Sequence, residues 1–299
     1  MRTSLGKLRA LILVVSAVLL FPSAAAADSI PQITFESSQG YTVGDINGQP
    51  LTDSYLPNGK WEKTDPSYDA KVVPMSLYTS ASTFGFGSQA LRISDAFTTQ
   101  GFGGQTFSPG LGDEAGESGA DNAGLSGGLR QPHFSASFLI GTTVPGEQPG
   151  LHMSVSPDRG DGSRMSYLRF EDQSDGVHVF FDDVVNKGPV GTVSTFREYE
   201  IATLSRTTPH LIQFSMELKD GEANDTVKIY IDSRLVKTGT SWEDYYRYDP
   251  EAAAHAGKVP TVDKLLFLLR GTAHPTNGTT GGFLIDRVTL ESSGLNLRK

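Results

Sequence analysis

Short segments in which apolar and polar residues alternate dominate the chain from Phe134 onward. A period of two places successive side chains on opposite faces of a strand, so this pattern predicts half-buried β-strands. In residues 210–218 the apolar face would hold Ile212, Phe214 and Met216, while Gln213 points the other way. Helical periodicity is almost absent. The pattern therefore predicts an antiparallel all-β domain.

The same alternation marks residues 151–155, 177–181 and 227–231. Segments rich in Asp, Asn and Gly separate the later runs, and these residues favour tight reversals, so residues 211–237 are predicted to form a three-stranded meander. A last strand over 281–292 is expected to pair near the N-terminal residues 33–37. Earlier strands are predicted at 72–78 and 90–94, and the glycine-rich, acidic residues 108–128 are predicted to form a long surface loop.

The first 27 residues have the three parts of a secretory signal. Basic residues precede an apolar run over 11–21, and small residues precede Asp28. We therefore expect residues 1–27 to be removed as a signal peptide, a single domain over 28–299, and a secreted, extracellular product. The apolar run is too short to span a bilayer, and no later segment is predicted to be a membrane span.

Composition narrows the possible partners. The chain carries 25 Lys and Arg against 34 Asp and Glu, a net charge of −9, and the expected leader takes some of the basic residues with it. Nucleic acids and anionic lipids require clustered positive charge, so neither is expected as the main partner. The chain has no cysteine, so we expect an exported protein that depends on a large core rather than on disulfides.

One passage resembles a known superfamily. Residues 207–242, TTPHLIQFSMELKDGEANDTVKIYIDSRLVKTGTSW, are similar to the concanavalin A-like, laminin-G-like lectin and glucanase superfamily, as found in secreted bacterial proteins. There a strand, a polar loop and a strand ending in Tyr-x-Asp-Gly often follow one another; here Tyr230 and Asp232 match, and Ser233 stands where glycine is usual. The resemblance implies a two-sheet antiparallel jelly-roll sandwich that binds glycans or proteins more often than it performs any one reaction.

A cluster of aromatic residues in 241–249 is the strongest candidate for a ligand-binding site. Aromatic rings offer stacking surfaces to the C–H faces of sugars, and nearby polar groups offer hydrogen bonds. The same rings would equally serve to cover the open edge of the core, and the sequence leaves both interpretations open. The candidate ligand-binding residues are Trp242, Tyr245, Tyr246, Arg247 and Tyr248.

Residues 156–173 contain an Arg-Gly-Asp tripeptide at 159–161 within a run of turn-forming residues. We interpret the segment as a glycine-rich hairpin that joins two strands. Calcium binds several hard oxygen ligands, and acidic side chains are frequent here and in the next predicted loop, so a structural calcium ion is a further hypothesis. Its candidate ligands are Asp158, Asp161, Asp172 and Asp175.

Catalytic signatures are weak. Glucanases of the resembling fold carry Glu-x-Asp-x-x-Glu, and no Glu-x-Asp occurs in this chain. Glu198 and Glu200 would share a strand face, and a solvated strand face is the favoured explanation for them. The leading hypothesis is thus a secreted, non-catalytic protein that binds extracellular glycan. A polysaccharide hydrolase or lyase is one alternative, and a protein-binding or structural module of the cell envelope is another.

Overall fold

A computed structural model describes residues 27–51, 59–66, 68–78, 85–94, 104–120, 128–185, 188–255, 257–270 and 281–294. The expected signal peptide lies almost wholly outside these ranges, so its removal stays a prediction. The strands of the described residues are β1 (Asp28–Ser29), β2 (Gly44–Asp45), β3 (Glu62–Lys63), β4 (Ala70–Pro74), β5 (Gln89–Ile93), β6 (Gln105–Phe107), β7 (His133–Thr142), β8 (His152–Asp158), β9 (Leu168–Gln173), β10 (Gly176–Val185), β11 (Thr195–Leu204), β12 (His210–Glu217), β13 (Thr226–Ile231), β14 (Arg234–Gly239), β15 (Lys264–Arg270) and β16 (Phe283–Ser293).

Two antiparallel sheets contain these strands. One sheet has the order β14-β13-β12-β7-β16-β5-β4-β2, with β1 also paired to β16, and the other has the order β11-β10-β9-β8-β15-β6-β3. The predicted all-β, two-sheet antiparallel jelly-roll sandwich is confirmed. The described helices are α1 (Glu243–Tyr248) and the 3-10 turns Ser37–Gln39, Met75–Leu77 and Pro250–His255. None of them has the length and apolar character that crossing a membrane requires.

Aromatic side chains join the inner faces of the two sheets. Phe138 of β7 lies edge-on to Phe170 of β9 at 6.2 Å and to Phe267 of β15 at 5.8 Å between ring centroids. All three rings are fully buried. Such edge-to-face pairs add specific contacts to the burial of apolar area. The predicted inward positions Ile212 and Phe214 of β12 are also fully buried, because the alternation of that strand turns them toward this core.

The predicted meander is confirmed by the pairing of β12 with β13 and of β13 with β14. Asp232 and Ser233 form the turn between β13 and β14 with φ values of 51° and 67°. Two positive values are the mark of a type I′ reversal, so Ser233 adopts the conformation for which glycine is usual. The predicted pairing of the last strand near residues 33–37 is also confirmed, because Ile33 and Val288 exchange backbone hydrogen bonds at 2.8 and 2.9 Å.

Two expected elements differ from the structure. The strand predicted at 72–78 ends at Pro74 and continues as a 3-10 turn, since proline has no N–H to extend the sheet. The surface loop predicted at 108–128 is wrong for residues 108–117, which are largely buried. Leu111 and Ala115 are fully buried, and their N–H groups donate to Asp263 and Val262, so this irregular segment packs as part of the sandwich.

Replacement of Phe138 tests the junction between the sheets. We expect Phe138→Ala to lower the free energy of unfolding by about 3–5 kcal/mol, because a cavity would remain between Phe170 and Phe267. Urea unfolding followed by circular dichroism measures the change. Val190→Ala, at a residue 79% exposed, is the control and should change little. A loss below about 1 kcal/mol for Phe138→Ala would contradict this packing.

Candidate functional site

The outer face of the seven-stranded sheet is polar on β9, β10 and β11. Arg169 lies 4.1 Å above the centre of the Phe180 ring, and its Nη2 donates to Glu198 Oε2 at 2.7 Å. On the same face His178 lies between Asp175 and Glu200, at 2.8 and 2.7 Å. The outward side chains of these three strands are Arg169, Glu171, His178, Phe180, Asp182, Phe196, Glu198 and Glu200.

A hairpin between β8 and β9 folds at one end of this face. Asp158 Oδ1 accepts the backbone N–H groups of Gly160 at 2.6 Å and of Gly162 at 3.1 Å. Both glycines have positive φ values, 96° and 92°, which favour residues without a side chain. The side chains of Arg159 and Asp161 pair with each other at 2.5 Å. The predicted glycine-rich hairpin is thus confirmed, and the charges of its Arg-Gly-Asp tripeptide are engaged internally.

Helix α1 lies beside the hairpin and is anchored by buried carboxylates. Glu243 is 1% exposed, and its Oε1 accepts the N–H groups of Asn224 at 2.9 Å and Asp225 at 3.1 Å. One oxygen each of Glu117, Asp225 and Glu243 lies within 4.8 Å of the others, the one such acidic trio among the described residues. Arg247 pairs with Glu117, and its Nε lies 3.6 Å from Glu243 Oε2. A guanidinium therefore supplies the positive charge beside this trio.

Burial and mutual repulsion change the titration of these carboxylates. Burial raises the pKa of Asp225 to about 7, against a smaller lowering by the hydroxyl of Ser241. Burial, followed by repulsion from Asp225, raises the pKa of Glu243 well above its usual range. Each group therefore holds its proton more tightly in the folded chain than in the unfolded chain.

The hairpin, helix α1 and the outer face enclose a cleft of about 610 Å³, which we call the aromatic cleft. Five aromatic rings, three carboxylates, one guanidinium and one amide line it. Its residues are Gln105, Asp161, Gly162, Arg164, Tyr167, Asp182, Phe196, Trp242, Tyr245, Tyr246 and Glu251.

Trp242 is the central ring of the cleft. It stacks on Tyr167 at 5.8 Å with an interplanar angle of 18°, and Phe196 meets it edge-on at 5.0 Å. Its Nε1–H donates to the backbone oxygen of Asp182 at 3.0 Å, which fixes the indole against β10. Trp242 is 9% exposed and Tyr246 is 5% exposed. Both belong to the core as well as to the cleft wall, so the two interpretations of this aromatic segment apply together.

The predicted ligand-binding residues divide into two groups. Trp242, Tyr245 and Tyr246 line the aromatic cleft. Arg247 and Tyr248 do not line it, because Arg247 pairs with Glu117 and the hydroxyl of Tyr248 donates to Glu222. A helix of this length turns successive side chains in different directions, so a cluster that is continuous in sequence is split in space.

Asp182 and Gln105 are cleft residues that the sequence reasoning missed. Burial, then repulsion from Glu198, raises the pKa of Asp182 to about 6 against the opposing charge of Arg169. Among the described residues no hydrogen bond or ion pair engages the Asp182 carboxylate or the amide of Gln105, which is 9% exposed. Alternation in 177–181 signals that Asp182 points outward, but no local signal places helix α1 and β6 beside it.

The predicted calcium ligands lie at separate places. Asp158 and Asp161 belong to the hairpin at the C-terminal end of β8. Asp172 lies at the other end of that strand, where its N–H donates to Leu151 and its carboxylate pairs with Arg206 at 2.6 Å. The carboxylate of Asp175 pairs with His178. The four do not fit one calcium site, which requires several converging oxygens, and calcium binding stays a prediction from the sequence.

A second groove of about 590 Å³ lies between the edge strands β11 and β14. Its lining includes Ile201, Leu235 and Val236, and its His210 pairs with Asp232 at 2.7 Å. No Phe, Tyr or Trp is among its described lining residues. The aromatic cleft is therefore the better candidate for a site that stacks flat ligands.

Comparisons with known proteins concern the fold. No protein-family model and no curated protein sequence matches the chain. Similar solved structures include an endo-β-1,4-glucuronan lyase from the fungus Trichoderma reesei, with 14% identity over 73% of this chain and 88% of that one and a TM-score of 0.35. A carbohydrate-binding module from Bacillus subtilis has 14% identity over 78% and 95%, with a TM-score of 0.36.

An alginate lyase from Pseudomonas aeruginosa has 10% identity over 68% of this chain and 83% of that one, with a TM-score of 0.38. At these identities a likeness concerns the fold alone. TM-scores this low support no conclusion about the ligand or the reaction of this chain. Only the residues of the cleft bear on its ligand and its reaction.

The buried carboxylates give a test in solution. Because the folded chain holds the protons of Asp225 and Glu243 more tightly, their contribution to stability is complete at acidic pH and is lost as pH rises through the raised pKa values. We expect the free energy of unfolding to fall by about 2–4 kcal/mol between about pH 5 and pH 8. The double variant Asp225→Asn, Glu243→Gln should show a smaller dependence on pH in urea titrations at several pH values. A remainder is expected, because burial also raises the pKa values of Asp158, Asp182 and Asp286.

Glu62→Gln, at an exposed carboxylate of β3, is the matched control and should keep the dependence of the unmodified protein. An identical slope in the double variant and the unmodified protein would contradict the assigned burial of these two acids.

Proposed function

We propose that the protein is an exported glycan-binding protein and that it binds non-catalytically in the aromatic cleft. The observation that carries the proposal is the combination of five rings with a small set of polar groups in one 610 Å³ cleft. Sugar rings present apolar C–H faces edged by hydroxyls, so they need a stacking surface with hydrogen-bonding groups around it. Sites for small ligands are commonly concave and of this size.

The polar groups of the cleft support this proposal. The carboxylate of Asp182 and the amide of Gln105 border the rings, and no hydrogen bond engages either side chain among the described residues. A carboxylate accepts hydrogen bonds from sugar hydroxyls, and an amide both donates and accepts them. Both groups border the cleft, so a bound sugar hydroxyl could form hydrogen bonds with them.

Phe196 offers the sharpest test, because it lines the cleft and is 44% exposed. We expect Phe196→Ala to weaken binding of the best ligand of a soluble oligosaccharide panel by at least about tenfold, since loss of one stacking contact is worth on the order of 1 kcal/mol or more. Isothermal titration calorimetry measures the affinity, and urea unfolding verifies that the variant is folded.

Tyr199→Ala is the matched control, since Tyr199 is 38% exposed on the same strand but faces the other way, under Lys237. Its affinity should match that of the unmodified protein. Equal losses in both variants, or none in Phe196→Ala, would remove the cleft as the binding site. A folded protein that binds no member of the panel would refute the proposal and favour a protein partner or a structural role in the cell envelope.

A specific observation favours hydrolysis as a second candidate function. Asp182 of β10 lies directly opposite Glu198 of β11, and opposed side chains have Cβ atoms about 4.5–5.5 Å apart. Retaining glycosidases place two carboxyl groups at a similar separation, one as acid and one as nucleophile. Asp182 has the raised pKa of an acid, and Glu198 accepts a hydrogen bond from Arg169. Release of reducing ends from a bound oligosaccharide, lost in Asp182→Asn, would establish hydrolysis over binding alone.

A further inference from the structure

We infer that the aromatic cleft selects sugars that carry a protonated amino group and rejects uronate and sulfated glycans. This inference rests on the proposed glycan-binding function and names the chemical class of its ligand. It follows from which charges in the cleft are paired and from the position of the aromatic rings beside the unpaired carboxylates.

The charges of the hairpin compensate one another. Asp161 pairs with Arg159 at 2.5 Å. Arg164 is 6% exposed and lies across from the fully buried Asp158, whose charge interacts with it. Arg164 is the one cationic side chain among the described residues that line the cleft, and its charge is partly offset by the carboxylate of Asp158 behind it.

Two carboxylates of the cleft remain uncompensated. No ion pair engages Asp182 or Glu251 among the described residues, and both line the cleft. Glu198 of β11 and Arg169 of β9 both face Asp182. Arg169 is also paired with two other carboxylates, those of Glu171 and Glu198. The cleft and the adjoining outer face thus carry a surplus of negative charge. The phenol of Tyr245 reflects it, because burial and the carboxylates of Glu251 and Asp249 raise its pKa to about 12.

The aromatic rings of the cleft also favour a positively charged ligand. Phe196, Trp242 and Tyr245 contact one another at centroid distances of 5.0, 5.7 and 6.2 Å, so their faces and edges surround one region. A cation over an aromatic face is attracted by the ring quadrupole. A sugar ammonium in this region would meet these rings and the carboxylates of Asp182 and Glu251. A uronate or sulfate group would bring like charge to the same carboxylates, which opposes binding.

Gln105 adds a neutral polar group to the cleft. It reaches the cleft from β6 and is 9% exposed. Its amide can both donate and accept a hydrogen bond. A sugar hydroxyl beside the ammonium could exchange hydrogen bonds with it.

Calorimetry with three oligosaccharides of equal length tests the inference. The probes are a β-1,4-linked glucosamine oligomer, its fully N-acetylated form and a glucuronate oligomer, measured at pH 6 and low salt. We expect the amino form to bind at least tenfold more tightly than the N-acetylated form, and the glucuronate form to bind more weakly than either. Added salt should reduce the preference, because it screens the charges that produce it.

Asp182→Asn provides the sharper readout. Affinity for the amino form should rise with pH as Asp182 loses its proton and fall at higher pH as the amine loses its own, giving a maximum. In Asp182→Asn the rise in affinity with pH should disappear, and the preference for the amino form should drop at least fivefold. Asp175→Asn removes a carboxylate outside the cleft and is the control. It should keep both the rise in affinity with pH and the preference for the amino form.

Three outcomes would overturn the inference. Equal affinity for the amino and N-acetylated forms, or tighter binding of the glucuronate form, would refute charge selection while leaving glycan binding in the cleft intact. An unchanged pH profile in Asp182→Asn would remove Asp182 as the selecting group. Absence of binding to any of the three probes and to a wider neutral panel would refute the proposed function, and the inference with it.

Discussion

Glu243 accepts two backbone N–H groups from the loop that precedes β13, and the cleft depends on this contact. Helix α1 spans fewer than two turns, and isolated helices of that length are unstable in water. Tertiary contacts must therefore hold it. The carboxylate of Glu243 fixes its first turn, and Arg247, paired with Glu117, fixes its last turn. The helix so anchored presents Trp242 and Tyr245 to the hairpin that follows β8.

This anchoring places ionisable groups behind a wall of rings. The carboxylates of Asp225 and Glu243 stay away from solvent on one side of the helix, while Asp182 and Glu251 border the cleft on the other. Burial disfavours the ionised form of Asp225 and of Glu243. Acidic side chains therefore anchor the helix on one side and border the cleft on the other.

Local alternation was sufficient to predict much of the sandwich. In β12 every second residue faces the core, and Asp232 and Ser233, in the turn between β13 and β14, adopt the backbone angles that a tight reversal requires. These signals depend on neighbours in sequence. The burial of Leu111 and Ala115 does not, because it depends on Val262 and Asp263, which precede β15 and lie about 150 residues further along the chain.

The cleft was predictable only in part for the same reason. The aromatic segment around Trp242 indicated where rings are concentrated, but α1 is too short to show a helical period, so the divergence of Arg247 from Tyr246 was not visible. Asp182, Phe196 and Gln105 come from three different strands and meet the rings only through the packing of those strands against the helix. The four candidate calcium ligands are close in sequence, but the fold places them apart.

The chain has two tryptophans, and their indole N–H groups report directly on the central claim. Trp242 lies in the cleft and donates to Asp182, while Trp61 is fully buried and donates to Tyr41 at 3.0 Å. A titration with the glucosamine oligomer, followed by the two indole signals in a 15N–1H NMR spectrum, separates the cleft from the core. Glycan binding in the cleft predicts a saturable shift of the Trp242 signal while that of Trp61 stays in place. Saturable binding in calorimetry with neither signal moved would contradict the assignment of the site.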